Sequence, residues 1–305
     1  MSSVKPLRLA VVGFGEVGQA CAEAVCLSHD LSVAAFIRRA TTAGGKLPEP
    51  LRHIPVFTHI GQARDVDGAL ICVPTQIAAD ATAQVLQHGI PTVDCATLHG
   101  DAFHVHKGAI HKLALHHKAP AIVGAGWDPG ALSVFRSWFA LLTPGGKTET
   151  TRRPGVTLRH TAMARNVIGV RDALCAEVRG ADGRLQRYVY VELEQGASAD
   201  RVAGAIRADP LFLGEDTQVF PVESLAALEQ GERGVVLDRR GPSGRLGHHH
   251  FLLEARIDES VLTAQVMLAA AHALPGLDPG AYTLSDIPLD ALWGEQAGKA
   301  QRDWL

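Results

Sequence analysis

The chain has 305 residues, 47% of them hydrophobic and 20% charged, which is typical of a globular protein with enough apolar material for one or two domains. Its formal net charge of −3 provides no general basic field, which argues against nucleic acid and anionic membrane as partners. We therefore expect a small-molecule ligand.

The first part of the chain alternates short, β-branched apolar runs with segments of helical spacing. Buried strands that alternate with helices predict a parallel, doubly wound sheet with right-handed crossovers. The predicted strands lie in LRLAVVGFG (7–15), LSVAAFIRR (31–39), GALICVPT (68–75), PTVDCAT (91–97) and APAIVGAGW (119–127).

After WDPGALSVFRSWFALL, which we interpret as a helix, the strands show polar alternation and few helices intervene. These strands lie in 183–196, 217–225, 234–241 and 248–258. Such alternation predicts a second α+β domain built on an open, largely antiparallel sheet. The predicted fold class is thus α/β, with a Rossmann-type first domain at 1–127, the second domain at 128–262, and the segment 263–305 packing back on the first.

No stretch of the sequence has the pattern of a secretory leader or the roughly 18 apolar residues of a membrane span. The five cysteines are odd in number and form no C-x-x-C pair, which favours reduced, buried thiols and a cytoplasmic protein. Six histidines lie between 99 and 117, but no two are three or four residues apart, so we predict solvated side chains and no metal site.

The motif GFGEVG places Gly13, Gly15 and Gly18 between a predicted strand and a predicted helix. In this context Gly13 allows a tight turn, Gly15 lets the backbone approach a pyrophosphate, and Gly18 lets the helix meet the sheet. The free N–H groups at the helix N-terminus favour the phosphates. The motif predicts a dinucleotide-binding site.

Arg38 and Arg39 follow the second predicted strand, where an NAD-binding protein usually carries an acidic residue. Two guanidinium groups can pair with a 2′-phosphate, so we predict NADP(H) as the cofactor. The alternative is a solvated arginine pair on a loop.

The motif GFGEVG (13–18) is followed along the chain by RRAT (38–41), VPT (73–75), VD (93–94) and GWDPG (126–130). With these motifs the chain resembles the meso-diaminopimelate D-dehydrogenases, above all the branch with the shorter second domain. The resemblance implies NADP-dependent oxidation of the D-centre of meso-diaminopimelate to 2-amino-6-oxopimelate and ammonia, the reverse reductive amination, and a role in lysine biosynthesis. It also implies a homodimer through the second domain, whose amphipathic strands are too numerous for one flanking helix to cover. The cofactor contacts that it implies are Gly13, Phe14, Gly15, Glu16, Val17, Gly18, Arg38, Arg39, Cys72, Val73, Pro74, Thr75 and Asp94.

By position alone, Asp128 is a helix N-cap and Pro129 the first helical residue, just past the carboxyl end of a predicted strand, where ligands bind in open parallel sheets. The resemblance implies that Asp128 also lies beside the reacting amine and that Trp127 packs beside the nicotinamide, which makes these two the candidate catalytic residues. The implied amino acid substrate contacts are Thr97, Trp127, Asp128, Pro129, Gly130, Arg159, His160, Thr161, Arg187, Arg233 and His249. Arg187 matches the arginine that binds the distal carboxylate.

Three of these positions depart from the pattern of the family. Thr97 replaces an aspartate, Arg159 stands where a glycine is usual, and Arg233 where nearer relatives have histidine. These changes remove negative charge and add positive charge around the expected substrate pocket. If the side chains face that pocket, it binds an ammonium group less well and a carboxylate better. Open alternatives are therefore a paralogue acting on another amine or imine, and a non-catalytic NADPH-binding regulator. A sugar- or aldehyde-directed oxidoreductase is disfavoured, because TVDCAT has no lysine.

Overall fold

The computed structural model describes residues 5–152, 155–156, 158–179, 185–225, 232–242, 247–294 and 297–304. The chain forms two compact units, which we call unit 1 (Met1–Phe135 with Ser260–Leu305) and unit 2 (Arg136–Glu259). The boundaries that the sequence predicts, at 127/128 and 262/263, stay a prediction.

The strands and helices are named in chain order. The strands are β1 (Leu7–Val12), β2 (Leu31–Ile37), β3 (Val56–Phe57), β4 (Gly68–Ile71), β5 (Thr92–Asp94), β6 (Pro120–Ile122), β7 (Lys147–Arg152), β8 (Gly155–Val156), β9 (Val170–Arg179), β10 (Leu185–Leu193), β11 (Asp216–Val222), β12 (Glu232–Pro242), β13 (His248–Asp258) and β14 (Gly280–Tyr282). The α-helices are α1 (Glu16–Cys26), α2 (Ala40–Ala43), α3 (Thr75–Leu86), α4 (Gly100–His117), α5 (Leu132–Leu142), α6 (Leu158–Arg165), α7 (Ala199–Ala208), α8 (Glu259–Ala273) and α9 (Ala297–Trp304). Shorter helical turns lie at Leu51–His53, Ile60–Gln62, Trp127–Ala131, Leu274–Gly276, Leu284–Asp286 and Leu289–Leu292.

Unit 1 is built on a parallel sheet, which among the described residues has seven strands in the order β14-β6-β5-β4-β1-β2-β3. The strands from β3 to β6 follow the order of a dinucleotide-binding sheet, which reverses between β1 and β4. Ligands of such sheets bind outside the carboxyl ends of the strands at that reversal. The predicted Rossmann-type parallel sheet is confirmed.

Successive residues of β1 point into two different cores, one on each face of the sheet. Leu9 and Val11 pack in a cluster with Met267 of α8, whereas Ala10 and Val12 pack in a cluster with Val85 of α3. Burial on both faces explains why residues 9–12 of β1 form a continuous apolar run and not an alternating one. Helix α8, which follows unit 2 in the chain, thus contributes to the core of unit 1.

Strand β14 was not predicted from the sequence, because three residues are too few to show a periodicity. It extends the sheet by pairing in parallel with β6.

Unit 2 contains two sheets among its described residues, in the orders β11-β10-β9-β8 and β13-β12-β7. The neighbours are antiparallel, as predicted, except that β10 and β11 pair in parallel. The sequence pattern therefore predicted β10 to β13, but it missed β7, β8 and β9 and did not predict the division into two sheets. Alternation reports which face of a strand is buried, whereas partner strands are selected by contacts that are distant in the chain. Val202 and Ile206 of α7 pack with Val189 and Val191 of β10 in the core of unit 2.

Within the described residues, no helix combines the length and the apolar character that crossing a bilayer requires. All five cysteines are free thiols, of which Cys26 is exposed and Cys95 half-buried, so the prediction of buried thiols holds for Cys21, Cys72 and Cys175 but was wrong for Cys26 and only partly right for Cys95.

Candidate functional site

The turn after β1 is fixed by close contacts between backbone segments. Gly13 has φ +93°, and a Cβ atom there would lie 2.3 Å from the carbonyl oxygen of Cys72. A Cβ atom at Gly18 would lie 2.4 Å from the carbonyl oxygen of Gly13. The first and third glycines of the motif are therefore required by the packing of the turn against α1 and the end of β4.

No contact among the described residues requires a glycine at position 15. A Cβ atom there would meet no described atom within 4 Å. Gly15 is also the N-cap of α1, and no described side chain caps the N–H groups of the first helical turn. Open space in front of unsatisfied N–H groups is what a phosphate group needs for close approach.

A cavity of ≈ 440 Å³ lies beside this turn. It brings together eight of the predicted cofactor contacts, which are Gly13, Phe14, Gly15, Arg38, Arg39, Cys72, Val73 and Pro74. Lining residues that the sequence analysis missed include Thr42, Thr58, Ile77 and Gln84. Thr42 could have been found from its place just after the arginine pair, but Thr58 and Gln84 reach the cavity only through the fold.

The two arginines stand at the cavity where a 2′-phosphate is expected. The Arg38 guanidinium lies 5.2 Å from the centroid of the Phe14 ring, and its Nη1 donates to the carbonyl oxygen of Gly45 at 3.2 Å. Arg39 is exposed. No described residue that lines the cavity is acidic, so nothing in it competes for these two positive charges.

Five predicted cofactor contacts do not line this cavity, namely Glu16, Val17, Gly18, Thr75 and Asp94. Asp94 is completely buried, and its carboxylate binds protein donors, the backbone N–H groups of Ala96 and Gly124 and the ring of His106. Thr75 accepts a hydrogen bond from the N–H of Thr97 at 3.1 Å. That these five residues contact the cofactor stays a prediction.

Trp127 and Asp128 follow β6 and are 6% and 7% exposed. Asp128 has φ −133° and ψ 119°, an extended conformation that interrupts the helical turn Trp127–Ala131 and is typical of an N-cap. The N–H of Trp127 donates to Thr263 of α8 at 3.2 Å. The indole Nε1 of Trp127 is buried and has no hydrogen-bond partner among the described residues.

Neighbouring predicted substrate contacts lie around this pair. Pro129 and Gly130 belong to the same turn, and a Cβ atom at Gly130 would lie 2.7 Å from the carbonyl oxygen of Gly124, so the turn admits no side chain there. Thr97 is exposed. Parallel strands end at one edge of a sheet, so Thr97, Trp127 and Asp128 lie at the same edge as the glycine turn.

In unit 2, the structure brings His160 and Arg187 together near Glu215. Arg187 is 2% exposed, and its Nε and Nη2 atoms donate to the two carboxylate oxygens of Glu215. His160 Nε2 lies 3.9 Å from Glu215 Oε1. Thr161 is buried, and its Oγ1 accepts from the N–H of Cys175. The sequence analysis missed Glu215, which compensates the positive charge of Arg187 inside the protein.

The remaining predicted substrate contacts of unit 2 are Arg159, Arg233 and His249. Arg159 lies on α6 and Arg233 on β12, but their side chains fall outside the described residues. His249 is exposed on β13, whereas the ring of His250 lies 3.2 Å from Asp238 Oδ2.

The sequence predicts that all histidines of α4 are solvated, but one of them is not. His106 is 7% exposed and lies 2.9 Å from Asp94 Oδ2, so the prediction was wrong for this residue. A helical pattern of low amphipathicity does not reveal which one of the five histidines of α4 faces a buried carboxylate. Among the described residues, no group of three or more potential ligands could hold a metal ion.

No protein-family model matches this chain. The meso-diaminopimelate D-dehydrogenase of Bacteroides fragilis is 34% identical over 294 residues, which cover 96% of this chain and 97% of that protein. The fold is similar to that of the C. glutamicum diaminopimelate dehydrogenase in complex with diaminopimelate, with a TM-score of 0.65, 21% identity and full coverage of both chains. It is also similar to that of an engineered D-amino acid dehydrogenase bound to NADP+, with a TM-score of 0.62, 21% identity, and coverage of 99% of this chain and 100% of that one.

The Arg187–Glu215 pair makes the stability of the protein depend on pH. The hydrogen bond from Arg187 holds the pKa of Glu215 below its ordinary value, against the opposing effect of burial. Ionised Glu215 therefore stabilises the folded protein above the pKa of the unfolded chain, and this contribution is lost as the pH falls through the lower, folded pKa. We expect Glu215→Gln to lower the free energy of unfolding by roughly 1–3 kcal/mol near neutral pH, and by less towards about pH 3.

Urea denaturation of the variant and of the unchanged protein at several pH values measures this difference. Glu149→Gln is the matched control, because Glu149 pairs with Lys147 while their side chains are 67% and 84% exposed. We expect the control to change the free energy of unfolding by at most about 0.5 kcal/mol. Equal losses for the two variants, or a loss for Glu215→Gln that does not vary with pH, would contradict this expectation.

Proposed function

Because the chain belongs to the meso-diaminopimelate D-dehydrogenase family, we propose that it oxidises the D-amino centre of meso-diaminopimelate with NADP and also catalyses the reverse reductive amination. The observation that carries this proposal is the buried pair Trp127 and Asp128 at the edge of the sheet where the glycine turn also lies. In the direction of oxidation, water hydrolyses the resulting imine to 2-amino-6-oxopimelate and ammonia.

The cofactor is held by unit 1. The N–H groups at the start of α1 and the open space at Gly15 suit the pyrophosphate, and Arg38 and Arg39 suit a 2′-phosphate. Bound NADP supplies the acceptor of the hydride that leaves the D-centre Cα. Gly13 and Gly18 allow the close packing of the turn that presents these donor groups, because a side chain at either position would clash with a backbone carbonyl oxygen.

Asp128 carries the chemistry of the amine. As the Cα–H bond breaks, positive charge builds up on the nitrogen, and a carboxylate within hydrogen-bond distance of that nitrogen stabilises it. The same carboxylate positions the water that hydrolyses the imine. The low exposure of Asp128 strengthens these interactions, because buried charges are screened less by water.

Trp127 supports the same assignment. A buried indole N–H without an acceptor costs roughly 1–3 kcal/mol, which a bound ligand with an acceptor atom would recover. We assign this donor to the substrate, and the face of the ring to the region beside the nicotinamide.

We further propose that the protein works in the cytoplasm, in lysine biosynthesis. Its five free thiols suit a reducing compartment. The metabolic role follows from the substrate that the family relationship favours.

The exposed face of α5 favours a homodimer. Trp138, Leu141 and Leu142 are 51%, 71% and 50% exposed, and the Phe139 ring packs on Phe251 of β13 within unit 2. Large apolar side chains grouped on one helix face are a common feature of interfaces.

If the cofactor is NADP(H), replacing both Arg38 and Arg39 by alanine should weaken NADPH binding about 10- to 100-fold and leave NADH binding nearly unchanged, since only a 2′-phosphate loses a charge-assisted contact of roughly 1.5–3 kcal/mol. Fluorescence titration with the two cofactors measures both affinities. Arg52→Ala, which removes a 65% exposed arginine from the same unit, is the control and should leave both unchanged. Equal weakening of both cofactors would refute the assignment.

Replacing Asp128 by asparagine should lower kcat for meso-diaminopimelate by about 10²- to 10⁴-fold and leave the NADPH dissociation constant within about twofold, because the carboxylate acts on the amine and not on the cofactor. Steady-state NADP reduction and NADPH titration provide the two measurements. Asp101→Asn, an exposed change in the first turn of α4, is the control. Unchanged turnover in Asp128→Asn would remove Asp128 from the mechanism.

Light scattering should return twice the 32.4 kDa of one chain, and Trp138→Glu should shift the mass towards that of the monomer, because a buried charge without a partner disfavours the interface. Leu27→Glu, at an 83% exposed position of unit 1, should leave the mass unchanged. A monomer for the unchanged protein at about micromolar concentration would overturn the dimer.

A further inference from the structure

Asp94 connects three segments of unit 1 through one completely buried carboxylate. Its Oδ1 accepts hydrogen bonds from the N–H groups of Ala96 and Gly124, both at 2.9 Å. Its Oδ2 lies 2.9 Å from Nε2 of His106, which is 7% exposed on α4. The carboxylate thus joins the end of β5, the segment after β6 and the middle of α4.

His106 completes this arrangement. A buried carboxylate is strongly disfavoured unless donors compensate both of its oxygens. Two backbone N–H groups bind Oδ1, and His106 is the side-chain donor at Oδ2, which requires a proton on Nε2. Loss of the ring donor leaves Oδ2 without this partner and weakens the whole junction.

The segment held by Asp94 leads directly to the reacting residues. The carbonyl oxygen of Asp94 accepts from the N–H of Ala125 at 2.7 Å, so side chain and backbone of Asp94 hold two consecutive residues. Gly124 has φ +63°, and a Cβ atom there would lie 2.7 Å from the Phe103 ring of α4, so the turn also packs tightly on that helix. Trp127 and Asp128 follow in the chain, separated from Ala125 by Gly126 alone.

The other N–H bound by Oδ1 belongs to Ala96, the residue before Thr97. The N–H of Thr97 is in turn held by Oγ1 of Thr75 at 3.1 Å. One buried carboxylate therefore sets the position of both segments that border the proposed reacting end of the substrate.

We propose that Asp94 and His106 are positioning residues for the amine chemistry, acting through the segment 124–128 to align the Asp128 carboxylate and the Trp127 ring. This inference rests on the proposed function, because it assigns the reacting end of the substrate to Asp128. A displacement of about 1 Å at a reacting group can lower a rate about 10²-fold without weakening the binding of a distant group. His106 therefore acts on kcat and not on cofactor affinity, since it does not line the cofactor cavity.

The test compares variants of His106 in the full-length protein, with NADP and meso-diaminopimelate as substrates. His106→Leu removes the donor and should lower kcat about 10- to 100-fold, while the NADPH dissociation constant stays within about twofold. His106→Gln carries an amide NH₂ near the place of Nε2 and should restore kcat to within about threefold of the unchanged protein. His106→Asn, whose amide is one methylene shorter, should not restore it, and it replaces the leucine variant if that one does not fold.

His272→Leu is the matched control. His272 lies on α8, and its Nε2 is 3.0 Å from Oδ2 of Asp30, the residue before β2, so this variant also removes a histidine–aspartate contact of unit 1 but at the amino ends of the strands, the opposite edge of the sheet from the segment 124–128. Its thermal stability should fall by an amount similar to that of His106→Leu, whereas its kcat should stay unchanged.

Hydrogen–deuterium exchange gives a readout that does not depend on turnover. The amides of Gly124 and Ala125 should exchange about tenfold faster or more in His106→Leu, and at the original rate in His272→Leu. Unchanged kcat or unchanged exchange in His106→Leu, failure of the glutamine variant to restore kcat, or an equal loss of kcat in His272→Leu would overturn the inference. If the unchanged protein itself does not turn over meso-diaminopimelate, the proposed function fails, and the catalytic role of the pair fails with it.

Discussion

The backbone of the first turn approaches the end of β4 so closely that no side chain fits between them. Cβ atoms at Gly13 and Gly18 would lie 2.3 Å and 2.4 Å from carbonyl oxygens of the protein itself. This steric constraint sets the direction in which α1 leaves the sheet and leaves its first N–H groups facing open space at Gly15. The candidate cofactor cavity, with Phe14 and Arg38 on its wall, lies beside this turn.

One carboxylate organises each unit, completely buried Asp94 in unit 1 and partly exposed Glu215 in unit 2, and the charge of each is compensated by groups of the protein. Asp94 in unit 1 binds two backbone N–H groups and His106. Glu215 in unit 2 binds Arg187, a residue whose charge the sequence alone would assign to a ligand. A count of charged residues around an expected pocket therefore overestimates the positive charge that unit 2 presents, because one of its arginines already has a carboxylate partner.

Parallel strands explain why residues distant in the sequence gather at one edge. Gly13 follows β1, Cys72 follows β4, Thr97 follows β5 and Trp127 follows β6, and all of these strands run in the same direction. The strand order reverses between β1 and β4, so the helices on either side of that point diverge and leave room for a ligand. The chemistry of the site comes from a few side chains, but their convergence comes from the sheet.

The sequence by itself determined the features that depend on local patterns. Apolar runs predicted the parallel sheet, because burial on both faces restricts the residue types of its strands. Glycine spacing predicted the cofactor turn, because a close backbone approach requires glycine at known positions, and the place of Arg38 and Arg39 after the second strand predicted a 2′-phosphate there. Tertiary structure alone decided which side chains pair with the carboxylates of the protein and compensate their charge. His106 and Asp94 are twelve residues apart, Arg187 and Glu215 twenty-eight, and no periodicity reports such pairs. It also decided that unit 2 has two sheets with one parallel pair, and that β14 extends the first sheet, since strand partners are selected by long-range contacts and not by the alternation within a strand.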